Sequence, residues 1–126
     1  MRDILGIRHL VRATGNSLCG LRDAFRNGCA FRQEIVLGFF LFVALFFVRE
    51  SMWVKVGLAA LWVILLALEL VNSAVEAVVD LASSGWNVLA KHAKDYCSAA
   101  IFLVVALIAS VWLIVLVRQF CRLAGE

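Results

Sequence analysis

Three stretches of the chain are almost continuously apolar, and the polar residues are concentrated before and between them. The first run, IVLGFFLFVALFFV over residues 35–48, is shorter than the roughly 20 residues that cross a bilayer as a helix. It must therefore extend back to about residue 31. The other two runs are long enough by themselves, so the pattern predicts transmembrane helices over about 31–48, 52–72 and 97–117.

The segment before these runs, residues 1–34, mixes basic and apolar residues at helical spacing. Six arginines lie among its apolar positions: Arg2, Arg8, Arg12, Arg22, Arg26 and Arg32. This pattern predicts one or two amphipathic helices on the membrane surface, with a break near Gly15 and Asn16. The arginines interrupt every place where the apolar core of a signal peptide could lie, so we expect the segment to remain on the protein. The interleaved leucine, isoleucine and valine favour lipid over nucleic acid as a partner.

The composition narrows the class of protein. With 126 residues, 64% of them hydrophobic, and a mean hydropathy of +0.98, the chain is too apolar for a soluble domain of this length. It predicts an all-α membrane protein with a single domain over residues 1–126. The four cysteines form no CxxC pair and the two histidines lack ligand spacing, so buried thiols are a better interpretation than a metal or disulfide site.

The distribution of basic residues predicts the orientation in the membrane. With the N-terminus inside, six arginines and two lysines lie on the cytoplasmic side, against four basic residues on the other side. The positive-inside rule then predicts a cytoplasmic N-terminus and a periplasmic C-terminus in a bacterial inner membrane. A polar loop over about 80–96 would lie on the cytoplasmic side, where nucleotides are found.

The second apolar run ends in ELVNSAVEAVVD, residues 69–80, which carries a polar face. At 3.6 residues per turn, one side of a helix holds Glu69, Asn72, Ser73, Glu76 and Asp80. Glu69 falls in the last turn of the hydrocarbon zone, where a carboxylate is costly and usually faces a site or a partner. The alternative is a solvated continuation of the helix, with Asn72 and Ser73 bonded to neighbouring helices. For Asp80 that alternative is the simpler interpretation.

A second polar cluster, AKHAKDYCSAA over residues 90–100, precedes the third span and contains Lys91, Lys94, Asp95 and Ser98. Lysine donates to phosphate oxygens, while carboxylates such as Glu76 are oxygen ligands that magnesium accepts beside nucleotide phosphates. Together with the carboxylate at membrane depth, these groups favour phosphoryl transfer. Flanking charge that follows the positive-inside rule remains an alternative. The sequence has no P-loop or dinucleotide-binding motif, so a nucleotide site would have to be built from helix faces.

ELVNSAVEAVVD resembles the signature of the prokaryotic integral-membrane diacylglycerol kinases. The resemblance extends to AKDxxSAA at residues 93–100, AFRQE at 30–34 and ATGNSLCGLRDAF at 13–25. It implies a surface helix followed by three transmembrane helices, in a homotrimer whose active sites are shared between subunits. The implied reaction transfers the γ-phosphate of ATP, bound with Mg²⁺, to diacylglycerol in the membrane and gives phosphatidic acid.

The resemblance also implies roles for individual residues. Glu69 matches the general base, supported by Asn72, and Glu76 matches the ligand of the metal on the nucleotide. Positions matching Lys94 and Asp95 contact ATP. The lipid substrate lies near positions matching Glu34, Glu69 and Ser98.

Three departures from the family pattern fall on the nucleotide side. A glutamate that shares the metal is replaced by Gly28, and an acidic residue and a histidine are replaced by Gly85 and Asn87. An arginine and a tyrosine near the N-terminus correspond to His9 and Asn16. These differences predict weaker Mg²⁺–ATP binding, an altered donor site or loss of catalysis.

Other functions stay open beside diacylglycerol kinase. Undecaprenol kinase shares the signature, but AFRQE and SAA are more similar to the diacylglycerol branch. A catalytically degenerate lipid-binding homologue would also fit the three departures. A small multidrug transporter usually needs four spans, whereas three are predicted here.

Overall fold

The computed structural model describes residues 2–83 and 85–125, with side chains from residue 6 onward. This part of the chain folds into four helices: α1 Arg2–Asn27, α2 Cys29–Phe47, α3 Met52–Ala82 and α4 Val88–Ala124. The prediction of an all-α protein is therefore confirmed. Asn87 caps the start of α4, where its Oδ1 accepts hydrogen bonds from the amides of Leu89 at 2.8 Å and Ala90 at 3.3 Å.

Helices α2, α3 and α4 are each long and apolar enough to cross a membrane. They contain 19, 31 and 37 residues, which corresponds to about 28, 46 and 55 Å. A bilayer core is about 30 Å thick, so α3 and α4 extend well beyond it. The helices are longer than the predicted spans. Most of the segment expected as a loop over about 80–96 is helical, since α3 ends at Ala82 and α4 begins at Val88.

The N-terminal segment is one continuous helix, so the predicted break near Gly15 and Asn16 is wrong. Glycine inside a helix costs only about 1 kcal/mol relative to alanine, which the rest of a long helix can offset. The chain turns instead at Gly28, whose backbone is extended (φ −84°, ψ 107°) between α1 and α2. The amide of Gly28 donates to the carbonyl of Ala24 at 2.8 Å and closes the end of α1.

The helices pack in chain order, α1 on α2, α2 on α3 and α3 on α4. Few apolar side chains of the described residues are buried: Phe31, Leu45, Val48, Leu58, Leu65, Ile108 and Val115. Most of the large apolar side chains on the spanning helices are exposed on the single chain. Surfaces of this kind need lipid or other protein to cover them.

The connection between α2 and α3 is tied to the end of α4 by a group of charges, here named the Glu50 cluster (Arg49, Glu50, Arg118, Gln119 and Arg122). The side chain of Glu50 is 5% exposed and pairs with Arg122 at 3.2 Å and Arg118 at 3.6 Å. Arg122 also donates to the backbone carbonyl of Arg49. The amide of Arg49 donates to Oε1 of Gln119 at 3.2 Å. This cluster lies at the far end of the bundle from the polar face of α3.

Candidate active site

The polar face of α3 begins with a buried carboxylate. Glu69 is 7% exposed, and it is the single charged residue among those that the structure describes as buried. One turn further, Nδ2 of Asn72 donates to Oε1 of Glu76 at 3.1 Å, an i,i+4 hydrogen bond along the same face. Glu76 is exposed. The face therefore runs from a buried carboxylate to an exposed one whose orientation is fixed by a neighbouring amide.

A second helix brings another carboxylate to this face. Glu34, on the first turns of α2, lies within the range of electrostatic interaction with Glu69, and Glu69 lies within the same range of Glu76. Oε2 of Glu34 and Oδ1 of Asn72 are buried and have no hydrogen-bond partner among residues 6–83 and 85–125. Like charges and unpartnered buried acceptors are unfavourable for stability, and they are typical of a site that binds a proton, a hydroxyl or a cation.

A polar groove lies beside the outer end of this face. Lys94 Nζ bridges from α4 to Oδ1 of Asp80 on α3 at 2.6 Å, and Lys91 Nζ pairs with Oδ2 of Asp95 at 2.6 Å. The groove has a volume of about 300 Å³, and its lining is Val79, Asp80, Ser83, Gly85, Trp86, Asn87, Ala90, Lys91, Lys94 and Asp95. The hydrogen bond to Asp80 raises the pKa of Lys94, which lies outside the predicted span. Lys94 is therefore cationic throughout the neutral range.

The connection between α3 and α4 is held at both sides of Trp86. Ser83 Oγ donates to the carbonyl of Gly85 at 2.8 Å, and Asn87 is occupied as the cap of α4. The side chain of Trp86 is 84% exposed at the edge of the groove. Trp86 was not among the candidate residues selected from the sequence, and Lys91 was placed in the polar cluster without a role of its own. The sequence signal that could have identified Trp86 is the presence of a tryptophan in a short polar connection.

The structure gathers most of the residues selected from the sequence. One group contains three carboxylates and an amide: Glu34, Glu69, Glu76 and Asn72. The groove beside this group is lined by Lys94 and Asp95. Ser98 is exposed on α4 one turn beyond Lys94. No hydrogen bond or ion pair links Ser98 to Glu34 or Glu69 in the described part of the chain.

The carboxylates do not form a complete metal cage. Within the described residues, no group of three or more histidine, cysteine, aspartate or glutamate side chains could hold a metal ion. Magnesium bound with a nucleotide often takes one or two protein carboxylates and completes its shell with phosphate oxygens and water. Glu76, held by Asn72, fits that limited role. At Gly28, a Cβ atom would meet the carbonyl oxygen of Ala24 at 2.6 Å, so a larger residue there requires the α1–α2 junction to shift.

The fold is that of a helical membrane protein, with three helices able to span the bilayer. Its polar site, a carboxylate face beside a lysine-lined groove, lies at one end of these helices. The family model described as prokaryotic diacylglycerol kinase matches residues 15–116. This chain belongs to that family, and it is therefore a member of a family of kinases.

Curated relatives cover most of the chain. It is 38% identical to a diacylglycerol kinase of Haemophilus influenzae over 107 residues, 85% of this chain and 91% of the relative. It is 38% identical to a diacylglycerol kinase of Pseudomonas aeruginosa over 111 residues, 88% and 90% of the two chains. For a diacylglycerol kinase of Escherichia coli the identity is 34% over 115 residues, 91% and 94% of the two chains.

Proposed function

We propose that this protein transfers the γ-phosphate of ATP to the hydroxyl of diacylglycerol and gives phosphatidic acid. The observation that carries the proposal is the buried carboxylate of Glu69 at the membrane end of a face that continues to an exposed carboxylate and a lysine. A lipid hydroxyl can reach the first group from the bilayer, and a nucleotide can reach the others from water. The matching names of the relatives support this choice of acceptor.

In the proposed reaction, Glu69 takes the proton of the lipid hydroxyl as that oxygen attacks the γ-phosphorus. The bond from the γ-phosphorus to the oxygen bridging it to the β-phosphorus breaks, and ADP leaves. Glu34 lies beside Glu69 and positions the glycerol end of the lipid. Ser98 is proposed to contact the lipid from a neighbouring part of the assembly, because it does not reach Glu69 within the single chain.

The donor site is proposed at the groove between α3 and α4. Lys94 donates to phosphate oxygens, Asp95 lines the same groove, and the exposed ring of Trp86 offers a stacking surface for the base. Glu76 would hold Mg²⁺ on the nucleotide, with Asn72 fixing the direction of its carboxylate. When bound, the ion neutralises charge on the phosphates.

The assembly and the orientation belong to the same proposal. The exposed apolar faces of α2, α3 and α4 are compatible with a homotrimer in the bacterial inner membrane. The count of basic residues supports a cytoplasmic N-terminus and a periplasmic C-terminus. A reporter fused to the C-terminus that responds as a cytoplasmic one would contradict this orientation.

The activity test is direct. Purified protein in mixed micelles with Mg²⁺, ATP and short-chain diacylglycerol should form phosphatidic acid and an equal amount of ADP. Undecaprenol in place of diacylglycerol tests the second acceptor, and Glu69→Gln is the control for contaminating kinases. Faster turnover of undecaprenol would reassign the acceptor, whereas no product from either lipid would reject the proposed activity.

A catalytically degenerate lipid-binding homologue is the second candidate, and Gly28 is the observation that favours it. The crowding at Ala24 means that Gly28→Glu adds a steric change as well as a carboxylate. Gly28→Ala is therefore the matched control, since it adds the Cβ alone. If the missing carboxylate limits donor binding, Gly28→Glu should bind Mg²⁺–ATP more tightly than Gly28→Ala; equal affinities would mean that the other groups suffice.

A further inference from the structure

An apolar groove between α2, α3 and α4 lies next to Glu34 and Glu69, on the side toward the middle of the spanning helices. Its volume is about 360 Å³, within the range of roughly 300–1,000 Å³ that ligand pockets occupy. The lining is Ile35, Gly38, Phe39, Leu41, Phe42, Leu45, Leu58, Ala59, Trp62, Val63, Leu66 and Trp112. Among these side chains the two indoles alone carry polar atoms, so the groove suits a hydrocarbon chain.

The groove owes its shape to a glycine packed against a tryptophan. The indole of Trp62 lies so close to Gly38 that a Cβ atom at this position would collide with Nε1 of the ring. The same Nε1 is buried and has no hydrogen-bond partner among the residues that the structure describes. A buried donor without an acceptor is unfavourable, and tryptophan N–H groups in apolar surroundings usually find one.

Both walls of the groove continue into the candidate active site. On α2, Gly38 follows Glu34 by four residues, one turn or about 6 Å along the axis. On α3, Trp62 precedes Glu69 by seven residues, two turns or about 10 Å. The Glu34–Glu69 pair and the Gly38–Trp62 pair are therefore successive layers between the same two helices.

We propose that this groove holds an acyl chain of the lipid acceptor and that the Trp62 N–H, once the indole turns away from Gly38 on lipid binding, donates a hydrogen bond to an ester carbonyl of that lipid. The inference rests on the proposed function, since it places the hydroxyl of the same lipid at Glu69. Gly38 and Trp62 are then specificity-determining residues. They favour a glycerol ester over a lipid alcohol that has no carbonyl oxygen.

The hydrogen bond is tested by comparing ester and ether lipids. The wild type should use diacylglycerol with a kcat/KM roughly two- to tenfold above that for the dialkylglycerol of equal chain length, the range expected for one net hydrogen bond. Trp62→Phe keeps an aromatic ring without the N–H and should bring this ratio close to one. Trp112→Phe, the same change in the other groove tryptophan, should preserve the ratio.

Because the ratio is taken within each variant, differences in the amount of folded protein cancel. A Trp62→Phe ratio equal to that of the wild type would overturn the hydrogen bond. An equal loss of the ratio in Trp112→Phe would also contradict it, because that result would assign the effect to groove volume alone.

The chain-binding part is tested by filling the groove. Gly38→Ala forces the indole to move, so it should lower kcat/KM for long-chain diacylglycerol relative to the short-chain form by several-fold. Gly57→Ala is the matched control, since a Cβ at that helical position in α3 meets nothing within 4 Å. An unchanged chain-length profile in Gly38→Ala would contradict the assignment.

A binding measurement separates this inference from the proposed function. In a Trp53→Phe/Trp86→Phe variant, the remaining tryptophans both line the groove, and diacylglycerol brominated in its acyl chains should quench them more than brominated phosphatidylcholine at equal mole fraction. Excess quenching in this variant, together with no kinase activity in the wild-type protein, would leave the groove assignment standing and reject the proposed activity. Kinase activity of the wild type with equal quenching of the variant by both lipids would overturn the groove assignment and favour a second copy of this chain as its occupant.

Discussion

The two ends of the helix bundle each contain a buried carboxylate, but the surroundings of these carboxylates are opposite. At one end the side chain of Glu50 is 5% exposed, although the residue as a whole is only partly buried, and it faces two arginines, one at 3.2 Å and the other at 3.6 Å. At the other end Glu69 is 7% exposed, and it interacts with two other acidic side chains, Glu34 and Glu76. The negative charge of Glu50 is balanced by two arginines, whereas the charged neighbours of Glu69 are themselves acidic.

This difference separates a structural role from a chemical one. A buried ion pair stabilises the contact between elements only while both partners are present, and removing one is costly. A buried carboxylate beside like charges contributes little to folding, and it is retained where its reactivity is needed. The Glu50 cluster therefore joins the α2–α3 connection to α4, and the Glu69 end is proposed to perform the reaction.

The largest expected effect is that of Glu69→Gln on turnover. Removing a general base typically costs 10²- to 10⁴-fold in rate, so kcat for phosphatidic acid formation should fall by about that factor. The free energy of unfolding should stay equal or rise, because the substitution removes a buried charge from two like charges. Turnover by acid-quenched assay and unfolding in the same detergent check both parts, and a fully active variant would remove Glu69 as the base.

Glu76→Gln should act next, on donor binding and not on the lipid. Outer-shell substitutions alone cost roughly 10- to 100-fold in metal affinity, so the loss of a ligand should raise the Mg²⁺ concentration for half-maximal activity at least about tenfold. Titration of activity with Mg²⁺ at fixed ATP measures this. The KM for diacylglycerol should change little, and a selective rise in that KM would argue against the metal role.

Glu50→Gln makes the same substitution at the opposite end of the bundle, where we expect a loss of stability and no loss of rate. Both arginine partners are partly exposed, so the cost should be smaller than for a fully buried pair, about 1–2 kcal/mol in the free energy of unfolding. The rate per folded molecule should be unchanged. Chemical unfolding in micelles measures the stability, and activity normalised to folded protein measures the rate. A loss of rate without a loss of stability would contradict a purely structural role for Glu50.

The smallest effect is expected from Asp80→Asn, which breaks the bridge to Lys94 at the site end. Side chains in this pair are 68% and 41% exposed, and exposed pairs contribute at most about 1 kcal/mol. The free energy of unfolding should fall by less than that, and the difference should shrink as salt is added. A double-mutant cycle with Lys94→Met isolates the pair; a coupling well above 1 kcal/mol would place this bridge in the same class as the Glu50 cluster.

The apolar runs and the polar face of α3 could be predicted from the sequence because both follow from local periodicity. A 3.6-residue repeat places Glu69, Asn72 and Glu76 together whatever the rest of the chain does. The approach of Glu34 to Glu69 depends on how α2 packs against α3, which periodicity within one helix does not determine. The resemblance to a known family supplied that grouping instead.

Errors at the ends of helices have a local cause as well. Gly15 was interpreted as a break, although the chain turns at Gly28, and nothing in the sequence distinguishes a tolerated helical glycine from a junction glycine. The loop predicted over about 80–96 includes the last residues of α3 and the first turns of α4, which are helical. Asn87, a cap followed by apolar residues, was the signal that α4 begins earlier.

The junction at Gly28 also bears on how this sequence can change over time. A side chain at this position collides with a backbone oxygen, which no substitution at Ala24 can remove. A carboxylate at position 28 is therefore accommodated only if the junction between α1 and α2 shifts. Substitution of Gly28 is therefore coupled to the packing of α1 on α2, and changes at this position and along that contact are expected to occur together.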